Sequence, residues 1–124
     1  MSGNKKIKVL VAEDDYLASR EIVRTLKHIG YHDIWEADDG VEAVEMTCDK
    51  CPDVVLMDME MPELDGVDAT VEIRGLGFQM PIVAMTATSS KLGKDNAITS
   101  GMNDYITKPV KIEAVKGVLF KWFS

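Results

Sequence analysis

Cysteine is scarce in this chain: only Cys48 and Cys51 occur among 124 residues. Two thiols supply no disulfide framework for a small fold. Long apolar runs are absent as well, and none approaches the roughly 20 residues that a membrane-spanning helix needs. The opening Met1-Ser2-Gly3-Asn4-Lys5-Lys6 leads into no apolar h-region, so no secretory signal is read there. Basic residues are outnumbered, 14 Lys and Arg against 21 Asp and Glu, for a net charge of −7. A nucleic-acid surface needs clustered Lys and Arg, so the balance argues against one, and solubility accounts for most of it. Repeats, linkers and low-complexity tracts are missing too. What is there is ordinary globular composition, 46% hydrophobic and 28% charged, in a chain long enough for a single core. The expectation is one cytoplasmic domain over 1–124, frayed or disordered at about 1–5.

Apolar runs alternate with segments of helical period, a β-α-β-α pattern that implies a mostly parallel sheet. The runs Ile7–Ala12 (apart from Lys8), Val54–Met57 and Ile82–Met85 are continuously apolar, as strands covered on both faces must be. Ile34-Trp35 and Tyr105-Ile106 are shorter and flanked by polar residues, hence edges. Five strands with the first, third and fourth central fit the doubly wound order 2-1-3-4-5. The first helix is expected from Tyr16 to Ile29, with Ile22, Val23, Leu26 and Ile29 on one face and Gly30 as its stop. A second follows Asp38-Asp39-Gly40 and uses Val41, Val44 and Cys48. A third follows Leu64-Asp65-Gly66 and ends near Gly75. The last presents Ile112, Val115, Val118, Leu119 and Trp122 as one stripe. Ser89–Ser100 is the poorest helix, with Gly93 inside it at a cost of about 1 kcal/mol relative to alanine, and is expected to be short or mobile.

Asp58 closes the apolar run Val54-Val55-Leu56-Met57. A carboxylate at the end of a buried strand is costly unless something neutralises it, and ligands bind at the carboxyl ends of strands in open α/β sheets. Val9-Leu10-Val11-Ala12 runs likewise into Glu13-Asp14-Asp15, Ile82-Val83-Ala84-Met85 into Thr86, and Tyr105-Ile106-Thr107 into Lys108-Pro109. In a parallel sheet these acids, a hydroxyl and a lysine gather around Asp58.

Glu13-Asp14, the Asp58 segment with Pro62 and Gly66, Thr86-Ala87, and Tyr105 with Lys108-Pro109, in that order, resemble the receiver domain of two-component response regulators. The resemblance runs from Val9 to Trp122 and implies a flavodoxin-like (βα)5 fold. It implies a phosphoryl group accepted on Asp58 from a histidine kinase or phosphotransfer protein. A carboxylate can act as such a nucleophile, and charge on the transferred group calls for a divalent cation and a lysine. By the same resemblance magnesium, or manganese, is held by Asp14 and Asp58 directly, by Glu13 through water and by the backbone carbonyl of Glu60. Lys108 pairs with the acceptor carboxylate, its bond to Pro109 being cis. Thr86 hydrogen-bonds the phosphoryl group, Ala87 leaves room for the donor, and Tyr105 turns inward as Thr86 moves. Glu60 and Thr88 flank the phosphoryl group and bear on its hydrolysis. Such a domain is a signal acceptor that catalyses its own phosphorylation and dephosphorylation, not a conventional enzyme. Its output partner is unspecified, and a single-domain regulator and a piece of a hybrid kinase both remain open.

Other readings compete at particular residues. Asp15 fits an N-cap of the first helix better than a ligand. A haloacid-dehalogenase-type phosphohydrolase also uses an aspartate nucleophile with a hydroxyl residue and a lysine, and Glu60 partly matches its second acid. Its metal acids come late in the chain, however, whereas Glu13-Asp14 come early, and no cap domain is present. A flavin module would need a phosphate cradle after the first strand, where these acids would repel phosphate. Cys48 and Cys51 close a helix where a thioredoxin motif would open one. With His28 and His32 they could converge on zinc, if the two loops lie at the ends of neighbouring strands. The alternative is a buried Cys48 on the helix and an exposed Cys51 in the turn, with two surface histidines.

Overall fold

The computed structural model describes residues 6–87 and 91–123; the expected fraying at 1–5 and the positions Thr88, Ser89 and Ser90 lie outside them. Strand β1 (Lys8–Ala12) leads into helix α1 (Tyr16–His28), and the alternation continues without interruption. It runs through β2 (Asp33–Ala37), α2 (Gly40–Lys50), β3 (Val54–Asp58), α3 (Gly66–Gly75), β4 (Ile82–Thr86), α4 (Lys91–Ser100) and β5 (Asp104–Thr107) to α5 (Ile112–Phe123). The strands form one parallel sheet in the order β2-β1-β3-β4-β5, the flavodoxin-like topology expected. Successive residues of a strand face opposite sides, and both sides are covered. Leu10, Ala12, Val55, Met57, Ile82 and Ala84 pack with Ala43, Ala69, Ile73 and Ala97 of α2, α3 and α4. Val9, Val11, Val54, Leu56, Val83 and Met85 pack with Ile22, Leu26, Val115 and Leu119 of α1 and α5. That double burial is why Val9–Ala12, Val54–Met57 and Ile82–Met85 contain no polar residue.

Helix starts follow the local chemistry. Asp15 caps α1, its Oδ1 accepting from the amides of Leu17 at 3.0 Å and Ala18 at 3.4 Å. Asp39 and Asp65 cap α2 and α3 in the same way. After α1 the chain turns through Gly30 at φ +107°, a conformation glycine adopts without a side-chain penalty.

Two expectations need correction. The buried residues of α2 are Gly40, Ala43 and Thr47; Val44 is only partly buried, Val41 is exposed and so is Cys48. Thr47 donates its hydroxyl to the Ala43 carbonyl at 2.8 Å, so its polarity is satisfied within the helix. The zinc quartet also fails. The His28–His32 loop feeds β2 and the Cys48–Cys51 turn feeds β3, but β1 lies between those strands. Among the described residues, the one group of His, Cys, Asp or Glu close enough to share a metal is Glu13, Asp14 and Asp58.

The weak segment before β5 does form a helix, the ten-residue α4. Its carboxyl end is tied to α3 through Arg74. The guanidinium donates from Nε to the Gly101 carbonyl and from Nη1 to the Phe78 carbonyl, each at 3.0 Å. Nη2 donates to Asn103 Oδ1 at 2.8 Å, and that same oxygen accepts the Ile82 amide at 2.9 Å. No helix among the described residues is long and apolar enough to cross a membrane.

Candidate functional site

Parallel strands bring their carboxyl ends to one rim, and this rim carries the polar cluster. Asp58 is the last residue of β3 and is buried; Glu13 directly follows β1 and is buried too, while Asp14 beside it is exposed. The carboxylates of these three offer oxygens within 4.8 Å of one another. Thr86 ends β4, and Lys108 follows β5, its amide donating to the Thr86 carbonyl at 2.7 Å. The Lys108-Pro109 bond is cis, as the resemblance implied. The Lys108 ammonium lies 3.0 Å from Glu13 Oε1 and 3.0 Å from Asp58 Oδ1. One cation thus bridges two buried acids.

The loop after β3 is drawn tight beneath Asp58. The amide of Glu60 donates to Asp58 Oδ1 at 3.2 Å, and the amide of Gly66 to the Met59 carbonyl at 3.1 Å. A β-carbon at Gly66 would stand 2.1 Å from the Asp58 carbonyl oxygen, so the close return of the chain requires glycine. Around these groups opens a cleft of about 470 Å³, lined by Glu13, Asp14, Asp15, Ala18, Asp58, Met59, Glu60, Thr86, Ala87 and Lys108.

Charge in the cleft is incompletely balanced. Burial pushes the Glu13 carboxyl up to about 7; the neighbouring Asp58 adds to the rise, while Lys108 and the Asp15 amide oppose it. Burial opposes the charge on Lys108, but Glu13 and Asp58 outweigh it and hold the ammonium above its ordinary value. Glu13 Oε1, though beside Lys108, has no hydrogen-bond donor aligned on it. Three acids with one lysine, and a buried oxygen still lacking a donor, fit a small hard cation with oxygen ligands.

The structure therefore gathers Glu13, Asp14, Asp58, Glu60, Thr86, Ala87 and Lys108 at one cleft. Thr88 lies outside the described residues. Tyr105 is on edge strand β5, opposite Ala84 in register and two places short of the rim, and does not line the cleft. Asp15 does line it, but its side chain is engaged as the helix cap. Residue patterns missed Met59 and Ala18 as walls, and missed Tyr16 and Leu17, both 73% exposed at the start of α1. Leu17 carried a signal, being apolar yet off the buried stripe of its helix.

Residues 9–119 match the family model of the response regulator receiver domain. The chain belongs to that family. This receiver domain is 41% identical over 118 residues to the Two-component system protein A of Emericella nidulans, covering 94% of this chain and 17% of that protein. It spans less than half the length of the curated relatives it matches. Among solved structures it resembles the co-crystal structure of the Saccharomyces cerevisiae histidine phosphotransfer signaling protein Ypd1 and the receiver domain of its downstream response regulator Ssk1. That match has a TM-score of 0.89 at 31% identity, over 95% of this chain and 89% of that chain. The receiver domain of sensor histidine kinase PA1611 from Pseudomonas aeruginosa PAO1, solved with magnesium coordinated in its active-site cleft, gives a TM-score of 0.86 at 34% identity, over 94% and 96% of the two chains. The dehalogenase-type and flavin readings are set aside by this membership: the chain is a two-component signalling domain.

Proposed function

We propose that this receiver, as one unit over 1–124, takes a phosphoryl group onto Asp58 from a histidine kinase or a histidine phosphotransfer protein. We further propose that it catalyses both that transfer and the later hydrolysis itself. The observation that carries the reading is the bridge of Lys108, 3.0 Å from both Glu13 and Asp58, inside an open acidic cleft. A free Asp58 oxygen attacks the phosphorus, and the bond to the donor's imidazole nitrogen breaks. Lys108 stays beside the new acyl phosphate and offsets charge on the phosphoryl oxygens. Thr86 at the end of β4 donates its hydroxyl to another of them. Ala87, lacking bulk, leaves the approach open, and Glu60 flanks the group where water must enter.

Magnesium (or manganese) would be held by Asp14, Asp58, the Glu60 carbonyl and, through water, Glu13; it supplies charge neutralisation across the phosphoryl oxygens. The solved relative with magnesium in its cleft supports this choice of ion. The relative solved with a phosphotransfer protein supports the choice of donor. Once Thr86 moves toward the phosphoryl group, Tyr105 turns into the space it leaves, and the face made by α4, β5 and α5 becomes the output surface for a partner not yet identified.

Intact mass after incubation with acetyl phosphate and magnesium tests the reading. One phosphoryl group is expected, absent without a divalent cation and absent in Asp58→Asn. Labelling that persists in Asp58→Asn would sink the assignment.

A further inference from the structure

Lys94 on α4 sets its ammonium 4.6 Å from the centroid of the Tyr105 ring. Two other lysine–aromatic contacts exist among the described residues, Lys50 with Trp35 at 5.6 Å and Lys121 with Trp122 at 5.7 Å. Both are longer, and Lys121 is already engaged by Asp104 at 3.2 Å. The Lys94 contact differs in kind as well, since it joins α4 to the residue on β5 that has to move. Tyr105 is 36% exposed and stands beside α4, outside the cleft that holds Asp58. In that orientation the negative face of the phenol ring attracts the cation. The register sets Tyr105 opposite Ala84, and Thr86 opposite Thr107. A ring that turns behind Thr86 therefore swings toward the sheet and away from the ammonium, which is returned to water.

We propose that Lys94 is a positioning residue that latches Tyr105 in its outward orientation and so weights this receiver toward its unphosphorylated conformation. The proposal rests on Tyr105 being the moving residue of the switch. A cation–π contact at an exposed site corresponds to roughly two- to fivefold in the outward–inward equilibrium. While the outward state dominates, the apparent affinity of any ligand that selects the inward state changes by the same factor. The sign is diagnostic. Removing a positive charge weakens the binding of an anion by simple electrostatics, whereas releasing a latch tightens it.

Beryllofluoride, which mimics the phosphoryl group, is titrated in magnesium against the wild type and the variants Lys94→Met, Lys94→Gln, Lys94→Arg and Tyr105→Ala, with Lys94→Met also combined with Tyr105→Ala. Amide exchange across α4 is followed in parallel. We expect Lys94→Met and Lys94→Gln to bind beryllofluoride roughly two- to fivefold more tightly, Lys94→Arg to bind like the wild type, and Lys94→Met to have no effect once Tyr105 is alanine. Unchanged or weaker binding by both neutral variants, while Tyr105→Ala alters the exchange response, overturns the latch and leaves the switch standing. Tightening that survives in the Tyr105→Ala background also overturns it, because Lys94 then acts through another contact. If Tyr105→Ala leaves the beryllofluoride response of α4 intact, the switch reading itself fails and the latch falls with it.

Discussion

A methyl group at position 66 would meet the Asp58 carbonyl oxygen at 2.1 Å, far inside contact distance. Gly66→Ala should therefore cost about 3 kcal/mol or more of stability, at the upper end of overpacking penalties, as read from urea midpoints. Lys108→Ala tests the opposite side of the cluster. It removes a cation from between two buried acids, so metal binding should persist while the beryllofluoride-induced change in amide exchange disappears. Asp14→Asn relieves repulsion among the carboxylates, raising the metal-free melting temperature and abolishing the gain from magnesium. At this scale the site was largely legible, because a carboxylate, hydroxyl or lysine that ends an apolar run has few structural reasons to be there. What escaped notice were residues defined by shape. Met59 and Ala18 become walls of the cleft only once the loops fold back, and no chemical type announces that.

Among the elements, α4 and β5 are the ones the proposed switch must move. Amide exchange with and without beryllofluoride should change within residues 86–107 and little within 20–29 of α1. Changes confined to the rim around Asp14 and Asp58 would mean that the site binds the anion without switching this face. Strand positions and order were readable because burial on both sides of β1, β3 and β4 left continuous apolar runs, and the edge strands did not share them. Helix α2 was read wrongly for a physical reason. It lies against α3, and Gly40, Ala43 and Thr47 make up the buried side. Close approach favoured small side chains, so hydrophobicity pointed to Val41 and Cys48 instead. The supposed convergence of Cys48, Cys51, His28 and His32 failed on topology, and the strand order 2-1-3-4-5 read from the same sequence already set β1 between the strands their loops feed.

For the molecule as a whole, the acids at the rim set how stability responds to its surroundings. Magnesium that binds only the folded chain should add about 2.7 kcal/mol at a hundredfold excess over its dissociation constant. Unchanged melting at millimolar magnesium would remove the metal site. The pH dependence carries its own sign. Glu13 titrates near 7 in the folded state against 4.5 ordinarily, so the folded chain binds that proton more tightly than the unfolded chain does. Metal-free stability attributable to Glu13 therefore falls as pH rises from 4.5 to about 7 and stays low above it. Urea midpoints at about pH 5.5 and 8 should differ more for the wild type than for Glu13→Gln, with magnesium shrinking the difference. The end of the sheet opposite the rim behaves otherwise. There Arg74 fastens the last turn of α3, the turn after α4 and the loop entering β4 with three hydrogen bonds. A lever needs a fulcrum. With its carboxyl end pinned at Gly101, α4 would in the proposed switch swing chiefly at its amino end, a small displacement of Thr86 arriving as a tilt of the helix rather than a slide.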